Sequence, residues 1–243
     1  MVSNDVAALA EGEACEALLL TAKARVIAPL VVWRRRADDF LLLTEPDLGE
    51  RVRAELVRFR FAAKAEIEPE EHVSTLVFGA ESGGIPNREF GRPAVEVLDA
   101  EPEGAPLGEE ELERMRIEAG TPAWGKEIDE RVLPAEAGLD ETHISFTKGC
   151  YPGQEPIARQ RHRGKVNRRL RVLGVEGEDV PERGAEIRHG DKVVGRITSA
   201  VPGLALAYVR VEVSDEADLS VGSQHAKVKV AGPAEPKAAA RNP

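Results

Sequence analysis

The chain has 243 residues, 42% of them hydrophobic, and a formal net charge of -10. That length buries one large core or two to three small ones. No apolar run is long enough for a bilayer, and the most apolar stretch, residues 17–33, is broken by Lys23 and Arg25, so neither a membrane span nor a signal peptide fits.

Cysteine usage narrows the class further. Cys15 and Cys150 are the two cysteines and lie far apart, which argues for a reducing cytoplasm over a disulfide-stapled secreted domain. One thiol with one partner cannot build a four-thiolate iron–sulfur site. The histidines at 72, 143, 162, 189 and 225 show no ligand spacing. No stable metal or cluster of the chain's own is therefore expected. The acidic balance also argues against generic nucleic-acid coating.

Taken in order, the chain starts with Asn4 and Asp5, both good helix caps. Residues 16–32 read as two strands joined at Lys23-Ala24-Arg25, and residues 40–43 as a short buried strand. Asp47 and Glu50 have the spacing of a capping box, followed by helical spacing of Leu48, Val52, Leu56 and Phe59. An extended stretch is expected at 65–67, strands at 73–78 and 94–98, and a loop through Gly83-Gly84-Ile85-Pro86. Residues 99–113 hold seven acids and no base, a solvated connector in its first half. The pattern then turns helical through Leu112, Met115 and Ile117, with Gly120 as C-cap and Pro122 soon after. Trp124 can stack on a ring, though core filling is the commoner fate. Glu136 sits in a Pro- and Gly-containing loop, where it either helps line a pocket or, the better reading, faces water. Residues 143–147 alternate like a strand and lead to Cys150.

The densest chemistry follows. Cys150 lies in Lys148-Gly149-Cys150-Tyr151-Pro152-Gly153-Gln154-Glu155, continuing to Ala158-Arg159 and Arg163-Gly164. Six arginines and Lys165 fall between 159 and 171 with no acid. A segregated basic cluster in an acidic chain reads as a surface that meets an anion, and a cationic setting raises thiolate content. The glycines suggest close backbone approach or positive φ beside the thiol. For Arg168, Arg169 and Arg171 a solvated strand edge is the better reading. Beyond Val166 come short strands at 172–175, 186–189, 193–199, 205–211 and 227–230, a pattern suggesting a small β-barrel. Residues 232–243 read as a disordered tail.

The Lys148–Glu155 string closely resembles the KGCYxGQE signature of the YgfZ family, folate-binding proteins linked to iron–sulfur enzyme maturation and tRNA modification. These are relatives of GcvT, the aminomethyltransferase of the glycine cleavage system. The resemblance implies an α+β chain with a GcvT-like folate-binding domain (residues 1–45 and 114–165). A ferredoxin-like layer and acidic connector are inserted at 46–113, and a C-terminal β-barrel is expected at 166–231. Relatives carry the Met1–Val6 string well inside their chains, so this sequence is expected to begin late. Lys23-Ala24-Arg25 stands where they usually have Lys-Gly-Arg/Lys.

By the same resemblance, Asp5 falls on the aspartate beside the reactive end of folate; a solvated helix-start acid is the equal alternative. Arg116-Ile117-Glu118-Ala119-Gly120 resembles the RxExG string whose glutamate hydrogen-bonds the pterin. A carboxylate can accept the adjacent ring N–H and amino group together. The expected cofactor-binding residues are Glu118, Arg116, Tyr151, Gln154, Glu155, Arg159 and Arg163, and the catalytic ones Cys150, Lys148 and Asp5. Lys148 can lower the thiol pKa or hold an anionic folate tail. Arg159 and Arg163 can hold a tail carboxylate or a phosphate.

The favoured function is a cytoplasmic, monomeric tetrahydrofolate-binding accessory to iron–sulfur enzymes, including tRNA-modifying ones, with Cys150 as reactive thiol. A GcvT-type aminomethyltransferase is the second reading. A non-catalytic module that docks RNA or an acidic partner through residues 159–171 is the third, and a transient RNA contact is compatible with the first as well.

Overall fold

The computed structural model describes residues 1–60, 64–164, 166–177 and 179–229, apart from the side chain of Arg163. The expected disordered tail and Lys165 lie outside these residues.

Among the described residues, three antiparallel sheets carry the fold. In the first, β1 (Ala14–Leu20) pairs β2 (Val26–Arg36), which pairs β3 (Asp39–Leu43). Both faces of β1 are covered. Leu18 and Leu20 join one core with Val26, Ile128, Leu139, Tyr151 and Ile157, while Ala17 and Leu19 join another with Ile27, Leu30 and Val32. A strand buried on both faces reads as a continuous apolar run, as this one does. Ala24 in the β1–β2 turn is buried and has φ 58°, the left-handed region that favours glycine. That explains the glycine expected at this place in relatives.

The expected capping box does not form. Pro46 opens a 3-10 turn over Pro46–Leu48, and α1 (Gly49–Arg58) follows with no side-chain cap at its start. Asp47 is thus drawn inside the turn. The second sheet has the order β4 (Ser74–Phe78), β6 (Ala94–Leu98), β5 (Ile85–Asn87). The loop expected at 83–86 therefore gives up Ile85 and Pro86 to an edge strand, the place in a sheet where proline is tolerated. The stretch at 65–67 forms no strand.

Helix α2 (Glu109–Ala119) ends at Gly120, whose φ of 74° lets its N–H reach the carbonyls of Arg116 and Ile117. Residues 143–147 form no strand. The Ser145 N–H meets the Ser3 carbonyl, but the Ser3 hydroxyl and Lys148 ammonium supply the other links to the first residues. The signature does not stay a loop either: Gln154–Arg163 is helix α3.

The C-terminal part is a closed barrel. Its order is β10 (Leu204–Arg210), β7 (Arg168–Val175), β12 (Gln224–Lys229), β11 (Leu219–Val221), β8 (Glu186–His189) and β9 (Lys192–Val201). The short β11 had no strand signal of its own. On β10 the period of two divides the strand: Ala205, Ala207 and Val209 fill the barrel, Leu204 and Leu206 meet Ile117 of α2, and Tyr208 enters the first core.

Candidate ligand-binding site

A cavity of about 1480 Å³ lies where the first two sheets, the end of α2 and the loop at 137–143 converge. Its apolar lining includes Leu30, Val31, Leu76, Phe78, Trp124 and Leu170. Trp124 also packs against two of the cores, so it fills space and faces the cavity together. The polar lining is rich in carboxylates, with Glu16, Glu45, Glu89, Glu96, Glu103 and Glu141, and also holds the cation Arg88 and neutral groups such as Asn87 and Thr142. Glu89 keeps solvent access but loses much of its bulk water to the surrounding walls. That loss, followed by Glu96 and Glu45, raises its pKa. Burial likewise raises Glu45, with Asp47 adding to it.

Ala119, Gly120, Thr121 and Pro122 line this cavity directly after Glu118. Glu118 is exposed on the last turn of α2 and has no hydrogen-bond or ion-pair partner among the described residues. A carboxylate at a helix C-terminus is opposed by the dipole, so its placement owes nothing to a local partner.

Arg116 is elsewhere. Its guanidinium is buried and grips Glu113 in a two-point contact, Nη2 to Oε1 at 2.7 Å and Nε to Oε2 at 2.9 Å. Its Nη1 donates to Glu127 Oε2 at 3.0 Å and its Nη2 to Ser199 Oγ on β9, also at 3.0 Å. Ser199 donates in turn to Glu127 at 2.6 Å, and Tyr208 of β10 to the Glu127 carbonyl at 3.0 Å. The Ala123 N–H completes the acceptor side of Glu127. This network ties α2 to the barrel. Arg116 holds Glu113 down at about 2, with burial opposing and Lys126 assisting. Burial works against the Arg116 charge, but Glu113 and Glu127 outweigh it and raise its pKa.

The signature loop is anchored by the first residues of the chain. Lys148 Nζ donates to the Val2 carbonyl at 2.7 Å and the Asn4 carbonyl at 3.0 Å. Asn4 Nδ2 bridges the carbonyls of Glu16 and Thr142, while Ser3 Oγ links the His143 carbonyl to the Leu18 N–H. Burial lowers the Lys148 pKa, with Asp5 and Cys15 opposing. The ammonium also stands 5.7 Å from the centre of the Tyr151 ring. Asp5 is half-buried before a 3-10 turn and makes no side-chain capping bond.

Cys150 is exposed beside this anchor. Neither Cys150, Lys148 nor Asp5 lines the central cavity. Tyr151 is buried in the first core, its hydroxyl unpartnered among the described residues, and burial raises its pKa. Gly153 has φ 84°, and a Cβ there would meet the Thr21 carbonyl at 2.7 Å and Ala24 Cα at 3.1 Å. This signature glycine packs on the β1–β2 turn. Gln154 and Glu155 open α3, half-buried and exposed respectively, and Arg159 is exposed on it. Arg163 ends α3, its side chain outside the described part.

Two of the three arginines expected on a solvated strand edge are engaged. Among the described residues, 168–171 pair with β10 alone, as an edge would. Arg168, however, pairs with Glu136 and covers the Tyr208 ring at 4.5 Å, and Arg171 pairs with Asp215. Glu136 is thereby tied to the barrel and does not simply face water. The Ser3–Asn4–Lys148 anchor and Glu127 escaped sequence reading, because their partners lie far away along the chain.

Comparison with known proteins places the chain. Residues 167–237 match the family described as CAF17, C-terminal beta-barrel domain. The structure aligns with the glycine cleavage system aminomethyltransferase T of Bartonella henselae at a TM-score of 0.79 and 18% identity, covering 95% of this chain and 78% of that one. In sequence, an uncharacterized protein of Haemophilus influenzae is 26% identical over 228 residues, 89% of this chain and 81% of that protein. An aminomethyltransferase of Prochlorococcus marinus is 31% identical over 115 residues, 45% of this chain. The match covers 31% of that enzyme's length. The fold is thus that of the glycine cleavage aminomethyltransferases, closed by a CAF17-type barrel. Over residues 167–237 the chain is similar to the CAF17 barrel family, and over most of its length to the Haemophilus influenzae protein.

Proposed function

We propose that the chain binds tetrahydrofolate or a derivative in the central cavity and serves iron–sulfur enzyme maturation and tRNA modification through Cys150. The observation that carries the folate part is the exposed, unpartnered Glu118 immediately before the cavity-lining residues 119–122. The residues present suit the ligand. A pterin brings a flat ring with adjacent N–H donors, which apolar walls and an acceptor-rich rim accommodate. The cavity volume, about 1480 Å³, exceeds what a ligand of that size needs. The carboxylates of the folate tail would be repelled by Glu16, Glu45, Glu89 and Glu96, so the tail is assigned to the solvent side. Bound folate would supply a one-carbon carrier.

The thiol belongs to a separate part of the reading. Cys150 is exposed on a loop that Lys148, Ser3 and Asn4 fix in place, which suits a group presented to another protein. Cys150→Ser is expected to abolish rescue of a strain lacking this function while leaving folate affinity nearly unchanged. Equal loss of both would defeat the division of labour.

The aminomethyltransferase names of several relatives and of the structural neighbour favour a second reading, direct transfer chemistry. It predicts ammonia release and methylenetetrahydrofolate formation from an aminomethylated carrier protein. The first reading predicts neither.

A further inference from the structure

Behind one wall of the central cavity lies a smaller cleft of about 490 Å³, within the size range of small-molecule sites. The partition is one chain thick. Residues 137–139 and 141–143 line the central cavity, whereas Asp140 and Ile144 line the cleft. The alternation of β7 repeats the division, with Leu170 on the cavity side and Arg169 and Arg171 on the other. Helix α3 forms the opposite wall and contributes Arg161.

Three arginines line the cleft, with Asp140 as its one lining acid. Arg171 is paired with Asp215. Arg161 and Arg169 are exposed and have no acidic partner among the described residues, in a chain of net charge -10. Arg161 is also held in place: its guanidinium carbon lies 3.7 Å from the centre of the Phe146 ring. Stacking occupies the face of the guanidinium and leaves its N–H edge to form a two-point contact with an oxyanion.

We propose that this cleft binds a phosphate ester, from a free nucleotide or from an RNA strand, independently of the ligand of the central cavity. Arg161 lines the cleft from a helix and Arg169 from a strand, so the two unpaired guanidinium groups stand on opposite walls, with Arg171 beside them held by Asp215. A phosphate offers several oxygens in a tetrahedral array and accepts such donors together, whereas a carboxylate is satisfied by one planar fork. Because Arg161 covers Phe146, that ring is no stacking platform for a base. Recognition is of phosphate and not of sequence.

The test is an equilibrium titration of the full chain at low salt with adenosine 5′-monophosphate and with a 5′-phosphorylated single-stranded oligoribonucleotide. Wild type is compared with Arg161→Ala, Arg169→Ala and Glu118→Ala, each first shown to unfold at the wild-type temperature. At least one probe is expected to bind, about tenfold more weakly to each arginine variant. Glu118→Ala is expected to bind like wild type, and added salt to weaken binding. Binding of the mononucleotide identifies a free nucleotide as the source; binding of the oligonucleotide alone identifies a strand. The proposal is overturned if neither probe binds, if the arginine variants bind as wild type does, or if a triglutamate peptide binds as tightly as either probe.

Discussion

Removing the guanidinium of Arg116 tests what the RxExG string holds up. Arg116→Met keeps length and apolar bulk but leaves Glu127, whose side chain is 0% exposed, without its cation. Breaking a buried ion pair by removing one partner costs about 3–5 kcal/mol, because the remaining charge is stranded. For a chain of this size each kcal/mol moves the melting temperature by about 2–4 °C, so a fall of roughly 6–20 °C is expected. Glu113 retains Lys126 at 2.9 Å, which makes Glu127 the main source of the loss. The double variant Arg116→Met/Glu127→Gln should recover part of it, since a neutral amide oxygen can still accept from the Ala123 N–H. A coupling of about 0.5–3 kcal/mol is expected for groups in one network. Urea and thermal unfolding followed by circular dichroism give these differences, and a folate titration at a temperature where the variant is folded gives the other half. An Arg116→Met protein as stable as wild type but unable to bind folate would refute the structural role and return Arg116 to the ligand.

Other perturbations separate packing from chemistry. Gly153→Ala forces a positive φ and a Cβ into the Thr21 carbonyl; the conformational and overpacking costs together predict a loss of about 2–5 kcal/mol in chemical denaturation, and an unchanged midpoint would contradict it. Lys148→Met removes two bonds to main-chain carbonyls, with an expected loss of about 1.5–3 kcal/mol and earlier proteolysis of the first residues; full stability would show that the anchor is dispensable. Glu113 has a folded pKa of about 2 against an ordinary 4.5. Its contribution is therefore complete above about pH 4.5 and disappears as the pH falls towards 2. Glu113→Gln should flatten the stability–pH curve in that window, and an identical curve would disprove the coupling to Arg116.

What the sequence disclosed follows from the range of the forces involved. The barrel strands and Gly120 depend on local alternation and capping, so residues 186–189, 193–199 and 205–211 stood out, while the three-residue β11 lacked room for a pattern. Helix α3 was hidden because Gln154–Arg163 carries almost no apolar stripe: Ile157 is its anchor in the core, and apart from Pro156 and Ala158 the rest is polar. Residues 143–147 alternate as a strand does, but what joins them to the first residues is the Ser3 hydroxyl on the His143 carbonyl and the Ser145 N–H on the Ser3 carbonyl, and not a ladder. The site divided in the same way. Glu118 and Cys150 were singled out by the strings that carry them, and the structure leaves both exposed. The roles of Arg116 and Lys148 were not, because Ser199 lies 83 residues from Arg116 and Val2 lies 146 from Lys148. No local pattern records such distances.

The central claim is that folate enters the cavity beside Glu118. A calorimetric titration of the chain with tetrahydrofolate under reducing conditions tests it most directly, with Glu118→Ala and Cys150→Ser run in parallel. Saturable binding by wild type is expected, with an affinity about tenfold or more weaker for Glu118→Ala, since a charge-assisted two-point hydrogen bond is worth roughly 1.5–3 kcal/mol. Cys150→Ser should bind as wild type does. No saturable heat, or an unchanged affinity in Glu118→Ala, would contradict the account.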